Sequence, residues 1–526
     1  MDDETKMPQG RNPAASNGAK NYNGHVDSIM NGSGLQDPKP SNSHDDDCPD
    51  DEFWEAINSS TVRPQPLPPE PTQAEQAAQA LLTQGAHDEG NAQCLRLRYA
   101  GLFVQNAAFG WMHYNGTHWI QAGAEAALDR AIVETLLARG MAALQSGKAD
   151  QYKDLIFKSM PSAGRVSGAK QLFSSLAYAP ADAFDADPDR LNCKNGVVDL
   201  RTGELHPHSP EQRFTYCAAV DYNPATPNTV WVNWLQEAVG KEAADWLQMA
   251  AGYSATGHTQ EEVLFYLYGP PRSGKGTFTE TMLAMLGAPV AKEVNFATFT
   301  AQRTGDSQNF DLAPLKACRL VAASESNAYE RFNEAKIKAL TGGNEVYCAF
   351  KHKDMFGYKP AFKIWLSTNQ PVNADPDDDA VWGRLRVIEF PDSHLGKEDK
   401  RLKSRMKSPA VLEGVLAWII EGARRWYALG EAGLSELESS KRIKDAHRGT
   451  LDNVQAWLDE FCVADPSKFG ANSALYLSYE NFCKDNGIEP KKQKGFSQSL
   501  IRKGFQVDSV KKDGKTLRGF IGISTS

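Results

Sequence analysis

The chain has 526 residues, of which 41% are apolar, and a formal net charge of −9 at pH 7. This length exceeds one ordinary domain and predicts three or four folded units. No apolar run reaches the ~18 residues of a membrane-spanning helix, and the polar start MDDETKMPQG lacks the apolar segment of a secretory signal. The negative charge does not exclude nucleic-acid binding, because positive charge can be confined to one face of a protein.

Eight cysteines are scattered through the sequence, and none forms a Cys-x-x-Cys pair or has a histidine at a ligand spacing. We therefore expect no zinc site. Isolated thiols are typical of a reducing compartment, which predicts a cytoplasmic protein.

Residues 1–75 are rich in Asn, Ser, Gly, Asp and Pro and show no apolar periodicity. This composition predicts a disordered tail that ends in a stiff Pro-rich linker. Within the tail, the acidic segment Asp45–Ile57 carries Phe53, Trp54 and Ile57. It is either a docking segment for a replication partner or a solvated charge run with stray apolar residues.

The next part of the chain, residues 91–250, is expected to be a mostly helical domain. Periodic apolar positions predict helices near Gln73–Thr83, over Ala124–Gln145 and over Trp231–Gly252. The Asn-Gly pair at Asn115 predicts a hairpin, and turn signals around a short strand, Val197–Leu200, predict a small β-unit.

A phosphate-binding loop follows a continuous apolar strand in VLFYLYGPPRSGKGTF, Val263–Phe278. Its pattern is Gly-x-x-x-x-Gly-Lys, and a helix is predicted from about Thr277. Backbone N–H groups of such a loop cradle phosphate oxygens, the lysine reaches the β- and γ-phosphates, and the helix N-terminus adds partial positive charge. The loop predicts ATP binding by Gly269, Pro270, Pro271, Arg272, Ser273, Gly274, Lys275, Gly276 and Thr277.

One position departs from the usual loop. Gly276 follows Lys275, where Ser or Thr ordinarily coordinates Mg²⁺, so either Thr277 performs that task in a shifted register or water does. The string Gly-Pro-Pro-x-x-Gly-Lys-Gly-Thr also resembles the loop of nucleotide kinases. Those compact enzymes need neither a large N-terminal region nor a C-terminal DNA-binding domain, which makes a kinase the weaker alternative.

Two further strands end in polar residues suited to hydrolysis. The strand in CRLVAASES, Leu320–Ala323, is followed by Glu325, which could deprotonate the attacking water. Ser324 stands before it, where an acidic residue is usual, and an ordinary helix- or turn-capping Glu is the alternative. The strand in FKIWLSTNQPV ends at Asn369, whose amide could contact the γ-phosphate or that water.

A basic hairpin is predicted after the helix that ends at Gly342-Gly343. Lys351, His352 and Lys353 lie near its turn, with aromatic residues on both sides. Basic and aromatic side chains together are typical of single-strand binding. The alternative is an exposed charged loop without a ligand.

The segment DDDAVWGRLRVIEFP places Arg384 and Arg386 just before another strand. An arginine from a neighbouring subunit can stabilise charge on the transferred phosphate, and Arg384 is the candidate. The alternative is that both arginines form ion pairs with the Asp residues before them.

The motor block, residues 251–435, is closed by a long helix over Ala410–Leu429, and a boundary is predicted at Arg442–Thr450. Residues 450–526 carry three helical patterns and then two short strands around Lys512-Asp513-Gly514. Helices followed by a hairpin predict a winged-helix-like DNA-binding domain.

The order of these signals resembles superfamily III helicases, an AAA+ branch of the P-loop NTPases, and more narrowly the C-terminal halves of phage, plasmid and poxvirus primase–helicases. LNCKNGVVDLRTGELHPHSP and WLQMAAGYSATGHTQEEVLFYLYG resemble the domain before the motor, and LYLSYENFCKDNGIEP resembles the tail after it. The expected fold is α/β, with an AAA+ core between a mostly helical N-terminal domain and a winged-helix domain.

This resemblance implies a hexameric ring that hydrolyses ATP with Mg²⁺ at subunit interfaces and moves along single-stranded DNA, 3′ to 5′, in a bacterial host. It implies roles for Lys275 as the phosphate lysine, Glu325 as the catalytic base, Asn369 as the sensor and Arg384 as the finger, with Lys353 on the DNA-binding hairpin. The sequence departs from the family at Asn344, Ala349 and Gly383. No primase domain is expected in this chain, and an origin-binding initiator that melts DNA is the second functional class.

Overall fold

The structure, a computed structural model, describes residues 73–300, 309–324, 331–349, 355–397, 399–512 and 515–525. These residues form a mixed α/β protein whose largest sheet is parallel. None of the helices in these ranges is long and apolar enough to cross a membrane. The segment Asp45–Ile57, predicted to dock on a partner, lies outside the described residues.

The chain divides into two compact units, one containing residues 73–94 and 134–162 and the other residues 95–133 and 163–525 of the described parts. The first unit is helical and is organised around Arg139, whose guanidinium is fully buried. It donates hydrogen bonds of 2.5 Å to Asn91 Oδ1 and to the Gln84 carbonyl oxygen, among others. Its helices are α1 (Gln73–Thr83), α2 (Asp88–Arg98), α3 (Ala124–Gln145) and α4 (Lys153–Lys158), of which α2 and α3 continue into the second unit.

Two small sheets open the second unit, so this part is less purely helical than expected. The predicted hairpin at Asn115 and the predicted β-unit are both confirmed by strand pairing. The strands are β1 (Phe103–Asn106), β2 (Gly110–Tyr114), β3 (Trp119–Ile120), β4 (Tyr178–Ala179) after α5 (Ala163–Leu176), β5 (Arg190–Cys193), β6 (Gly196–Asp199) and β7 (Leu205–His206). The first sheet has the strand order β3-β2-β1-β4, and the second has the order β5-β6-β7.

The single helix predicted over Trp231–Gly252 is two helices, α6 (Thr229–Val239) and α7 (Lys241–Ala255). The break falls at Gly240, which has φ of 82°. Only glycine adopts this conformation without strain. The apolar periodicity continues across the break and gave no sign of it.

A five-stranded parallel sheet forms the centre of the second unit. Its strands are β8 (Leu264–Tyr268), β9 (Ala291–Asn295), β10 (Leu320–Ser324), β13 (Lys363–Thr368) and β14 (Leu385–Glu389). Their order in the sheet is β14-β8-β13-β10-β9. Both faces of the sheet are covered, which explains why its central strand β8 is continuously apolar. Phe265 and Leu267 of β8 enter one core, whereas Leu264 and Tyr266 enter the other.

Helices around the sheet include the predicted long helix, which is confirmed as α12. Their bounds are α8 (Lys275–Leu286), α9 (Glu334–Thr341), α10 (Asp379–Arg384), α11 (Leu402–Met406), α12 (Pro409–Leu429) and α13 (Glu438–Leu451). The predicted hairpin is also present, because β11 (Val346–Cys348) pairs antiparallel with β12 (Phe356–Tyr358).

The segment Arg442–Thr450, near which a domain boundary is predicted, is helical within α13. The inward positions of α13 are polar, so apolar periodicity did not indicate this helix. Ser440 Oγ accepts a hydrogen bond of 2.8 Å from the Val387 backbone N–H. One turn further, Lys444 pairs with Glu436 at 2.7 Å.

Residues 453–525 contain three helices and a β-hairpin, as predicted, together with a strand that the sequence did not predict. That strand, β15 (Cys462–Ala471), pairs with β17 through a register shift between Ala464 and Phe469. Its Asp, Pro and Gly residues hid it, and such residues are tolerated at edges and bulges. The other elements are α14 (Asn453–Phe461), α15 (Asn472–Asp485), α16 (Gln493–Arg502), β16 (Gln506–Lys512) and β17 (Lys515–Thr525).

An acidic segment after β13 holds this C-terminal part. The Lys491 ammonium pairs with Asp375 at 3.0 Å and also with Asp377. The Asp377 carboxylate accepts a further hydrogen bond from Ser499 on α16. Arg502, at the end of α16, donates to the Asp377 carbonyl oxygen at 2.5 Å.

Candidate nucleotide site

The phosphate loop lies between β8 and α8, as the sequence predicted. Gly269 and Gly274 have φ of 148° and 107°, which side-chain-bearing residues rarely adopt. Gly269 is also needed for packing, because a Cβ there would lie 2.1 Å from the Phe390 carbonyl oxygen. The helix begins at Lys275, so its first N–H groups and partial positive charge face the loop.

Lys275 is buried, with 6% of its surface exposed, and among the described residues its ammonium donates four hydrogen bonds to uncharged oxygen atoms. It donates to the carbonyl oxygens of Gly269 and Pro270 at 2.8 Å and to Ser273 Oγ at 3.1 Å. A fourth contact, 2.9 Å long, joins it to Asn369 Oδ1. Burial lowers the pKa of Lys275 to about 8, because loss of hydration disfavours the charged ammonium form.

The structure brings Lys275 and Asn369 together as strand neighbours. Asn369 follows β13, whose last residue, Thr368, pairs with Tyr268 at the end of β8. On its other side β13 pairs with β10, where Ser324 aligns with Ser367. Three strands therefore end side by side at the loop, and β10 lies two strand spacings, about 10 Å, from β8.

A cavity of about 870 Å³ opens over the loop. Its size falls within the range of small-molecule sites. Six lysine and arginine side chains line it against two carboxylates, so the cavity favours a polyanion. The basic residues are Arg272, Lys275, Lys397, Lys400, Lys403 and Arg405, and the carboxylates are Glu237 and Asp399.

Most of this charge comes from residues that the sequence reasoning missed, between β14 and α12. Two hydrogen bonds join this basic segment to the loop. Ser393 Oγ donates to the Pro271 carbonyl oxygen at 2.7 Å, and the His394 backbone N–H donates to the Arg272 carbonyl oxygen at 3.2 Å. Lys407 pairs with Glu280 on α8 at 2.7 Å. The available signal was the basic run HLGKEDKRLKSRMK, which sequence alone could not place beside the loop.

The wall opposite comes from α6, and the sequence reasoning missed it as well. Trp234, Glu237 and Ala238 line the cavity, although they precede the loop by more than thirty residues. Trp234 lies against the loop itself, since a Cβ on Gly274 would meet its Cζ2 atom at 3.3 Å.

Gly276 stands where the usual loop has Ser or Thr, and the space around it is large enough for a side chain. A Cβ there would meet Glu280 Oε1 at 3.7 Å and Lys403 Nζ at 3.8 Å, which are ordinary contacts. Thr277 also lines the cavity and is 6% exposed. Among the described residues no group of three or more His, Cys, Asp or Glu side chains could hold a metal.

Arg384 lies at the end of the sheet opposite the loop, where strands β8 and β14 begin. Leu385, the next residue, pairs with Leu264 at the start of β8, so a full strand of roughly 13 Å separates Arg384 from the loop of its own chain. Its guanidinium donates to Glu262 Oε2 at 2.5 Å and to Thr341 Oγ1 at 3.1 Å.

The alternative that both arginines pair with the preceding Asp residues is wrong. Arg386 donates to the carbonyl oxygens of Gly383 and Leu385. The Asp residues bind other cations: Asp378 pairs with Lys338 at 2.8 Å, and Asp379 with Arg448 at 2.5 Å.

Four predicted functional residues lie outside the described part of the chain, namely Glu325, Lys351, His352 and Lys353. The flanking strands are described: β10 ends at Ser324, and Cys348 of β11 pairs with Phe356 of β12. Roles for these four residues stay predictions.

Comparison with known families matches two parts of the chain. Residues 92–240 match the family described as "D5 N terminal like". Residues 267–384, which include the loop, Asn369 and Arg384, match a "Family of unknown function (DUF5906)".

Similar proteins come from viruses. The chain is 23% identical over 304 residues to "Putative helicase L207/L206" of Acanthamoeba polyphaga mimivirus, covering 53% of this chain and 32% of that protein. It is 30% identical over 151 residues to "Putative helicase 022R" of Frog virus 3, covering 27% of this chain and 15% of that protein. The chain thus matches a third or less of the length of these relatives. Among solved structures, the apo NrS-1 C-terminal region (305–718) aligns with a TM-score of 0.40 and 14% identity, covering 65% of this chain and 84% of that one.

We expect nucleotide affinity to depend on the protonation of Lys275. Its pKa of about 8 should rise when phosphate oxygens surround the ammonium, so binding above that pH takes up a proton. The dissociation constant of a non-hydrolysable ATP analogue, measured by calorimetry from pH 7 to 9.5, should increase above pH 8 by up to about tenfold per pH unit.

Lys275→Arg is the control, because its guanidinium stays charged throughout this range. A flat profile for the natural protein, or the same slope in Lys275→Arg, would contradict the assignment of this pH dependence to Lys275.

Proposed function

We propose that the chain is the motor of an ATP-driven DNA helicase. The observation that carries the proposal is the buried Lys275 ammonium, bonded to Asn369 at 2.9 Å in a cavity lined by six basic side chains. The viral relatives named as helicases support the reaction class. We further propose that the core is of the AAA+ superfamily III type and that it works as a hexameric ring in DNA replication.

Each residue has a definite task in this proposal. Lys275 and the loop N–H groups hold the β- and γ-phosphates, and Glu325 orients and deprotonates the attacking water. Asn369 contacts the γ-phosphate or that water. Its contact with Lys275 means that loss of the phosphate would change the partners of both side chains.

A bound Mg²⁺ ion would supply positive charge that offsets the charge developing on the phosphate oxygens. In this chain Thr277 would supply the protein hydroxyl group for the ion, because Gly276 has no side chain and Thr277 lines the cavity. The protein's own contribution is then the cationic cavity and the helix N-terminus, which hold the polyphosphate in place.

DNA would be held by the hairpin formed by β11 and β12. Lys351, His352 and Lys353 lie in the connection between these strands and would contact the phosphates of a single strand. Residues 453–525 would form a winged-helix-like domain that binds duplex DNA.

This C-terminal part favours a second candidate function, an initiator that binds and melts origin DNA. Its motif is three helices and a β-hairpin, with exposed Lys492 and Lys494 on and beside α16. A motor and an initiator are compatible in one chain, and a forked substrate without origin sequence separates them, because only a motor unwinds it.

We expect Lys275→Ala to abolish both ATP hydrolysis and strand displacement on such a fork. The cavity loses the cation that faces the β- and γ-phosphates. Lys292→Ala, a change at a lysine that contacts Pro314 away from the cavity, should leave both activities intact. ATP-dependent transfer of phosphate to a nucleoside monophosphate, without strand displacement, would instead support the nucleotide kinase.

We expect Thr277→Ala to lose most Mg²⁺-dependent hydrolysis, and Gly276→Ser added to Thr277→Ala to restore part of it. The added hydroxyl occupies the usual position, and the contacts of 3.7 and 3.8 Å around a Cβ there predict that it fits. Hydrolysis rates across a Mg²⁺ titration provide the measurement.

Thr279→Ala is the matched control for this pair. It removes a buried hydroxyl on the same helix that donates to the carbonyl oxygens of Lys275 and Gly276. Natural rates and natural Mg²⁺ dependence in Thr277→Ala would show that the register has not shifted.

We expect Arg384→Ala to bind ATP normally but to lose hydrolysis by a large factor, on the order of 10³ where such arginines act. Because Arg384 is a strand length from its own loop, it would act on the nucleotide of a neighbouring subunit. Mixing Arg384→Ala with Lys275→Ala should therefore restore part of the hydrolysis rate.

Glu262→Gln separates this role from a structural one, since it removes the ion-pair partner and keeps the guanidinium. An equal loss of hydrolysis in Glu262→Gln would indicate that the ion pair matters for the fold. A lack of recovery in mixtures at every ratio would exclude action between subunits.

A further inference from the structure

The nucleotide cavity has a basic side and an aromatic side. The basic side is the loop together with residues 394–405, and it suits the polyphosphate. The aromatic side is Trp234 on α6, next to the small side chain of Ala238. A nucleotide has the same two-part chemistry, with a charged polyphosphate and an uncharged, flat base.

The Trp234 ring packs against the ring of Trp231 and also lines the cavity. Its ring lies 5.1 Å from that of Trp231, which is fully buried and stacks at 5.7 Å on Phe278 of α8. Trp231 also makes an edge contact of 5.7 Å with Trp418 of α12. The indole of Trp234 is half-buried and lines the cavity, so its orientation is set before any ligand binds.

Trp234 lies beside the loop in the same cavity. Its Cζ2 atom lies 3.3 Å from the position that a Cβ of Gly274 would occupy, which places the ring directly beside the phosphate cradle. A polyphosphate held by Lys275 would carry its base to a wall of the same cavity. Flat, electron-rich rings stack on bases of every kind, and this stacking is tolerant of base identity.

We propose that Trp234 is the platform on which the base of the bound nucleotide stacks. The proposal rests on the nucleotide site of the proposed function and adds a residue to it that lies outside the motor sheet. Trp234 belongs to residues 92–240, the part that matches the family described as "D5 N terminal like". The upstream part of the chain therefore contributes directly to nucleotide binding, and its helix α6 contacts the base whenever the site is occupied.

The test compares two ligands that share a polyphosphate and differ in the base. Calorimetry on the full chain measures the dissociation constants of a non-hydrolysable ATP analogue and of inorganic tripolyphosphate. Trp234→Leu keeps apolar volume against Gly274 but removes the aromatic face. We expect it to weaken binding of the analogue about tenfold, the range that one stacked base contributes, and to leave tripolyphosphate binding unchanged.

Trp234→Phe should recover most of the affinity for the analogue, because it restores an aromatic face. Asn233→Ala, at an exposed position of the same helix outside the cavity lining, should bind both ligands as the natural protein does. Since stacking is tolerant of base identity, the GTP analogue should lose affinity in Trp234→Leu by a similar factor.

Equal weakening of the analogue and of tripolyphosphate would mean that Trp234 only shapes the loop, and this would overturn the proposal. Unchanged affinity for both ligands would overturn it too. Failure of the natural protein to bind either ligand is a separate result, because it would refute the nucleotide site and the proposed function with it.

Discussion

The buried ammonium of Lys275 is the constraint on which the site depends. A buried ammonium costs on the order of several kcal/mol unless polar groups surround it, and here three oxygens of the loop and one amide oxygen do so. Those contacts fix the loop conformation and tie it to the end of β13. Because these four partners are uncharged, they leave the positive charge of the ammonium unneutralised.

The parallel sheet determines which residues lie near Lys275. Parallel strands bring their carboxyl ends to one edge, so Gly269, Asn369 and the residue after Ser324 follow strands that end together. The same parallel order brings Arg384 to the opposite edge. An arginine there cannot serve the loop of its own chain, and this separation is the physical reason to look for its partner in a neighbouring subunit.

The sequence predicted the parts of the site that lie within a single strand–loop–helix segment. The phosphate loop was found because glycine spacing, an apolar strand and a helix start coincide in sixteen residues. Asn369 was found because a buried strand ends in Ser-Thr-Asn-Gln-Pro. The basic segment with Lys400 and Lys403 and the aromatic wall with Trp234 were missed, since they reach the cavity only through tertiary packing.

The fold was predicted with the same strengths and weaknesses. Helix α12 and strand β8 were placed correctly because their apolar patterns match their packing. Helix α13 was not predicted, because Ser440, Lys444 and His447, which face inward, are polar. Gly240 breaks a helix whose apolar period continues on both sides. In each failure the deciding information was a partner distant in sequence or a backbone dihedral, neither of which periodicity records.

The acidic residues Asp375 to Asp379 contact three other parts of the structure. They lie between Asn369, which contacts Lys275, and α10, which ends at Arg384. Their partners are Lys491 and α16 in the C-terminal part, Lys338 on the helix before the hairpin, and Arg448 on α13. Because Asp377 is largely buried beneath Lys491 and Ser499, these contacts resist screening more than exposed ion pairs do. In the proposed helicase, a movement of Asn369 after loss of a phosphate would reach Arg384, the base of the hairpin and the C-terminal part through this one short segment, and this is the coupling that a DNA motor requires.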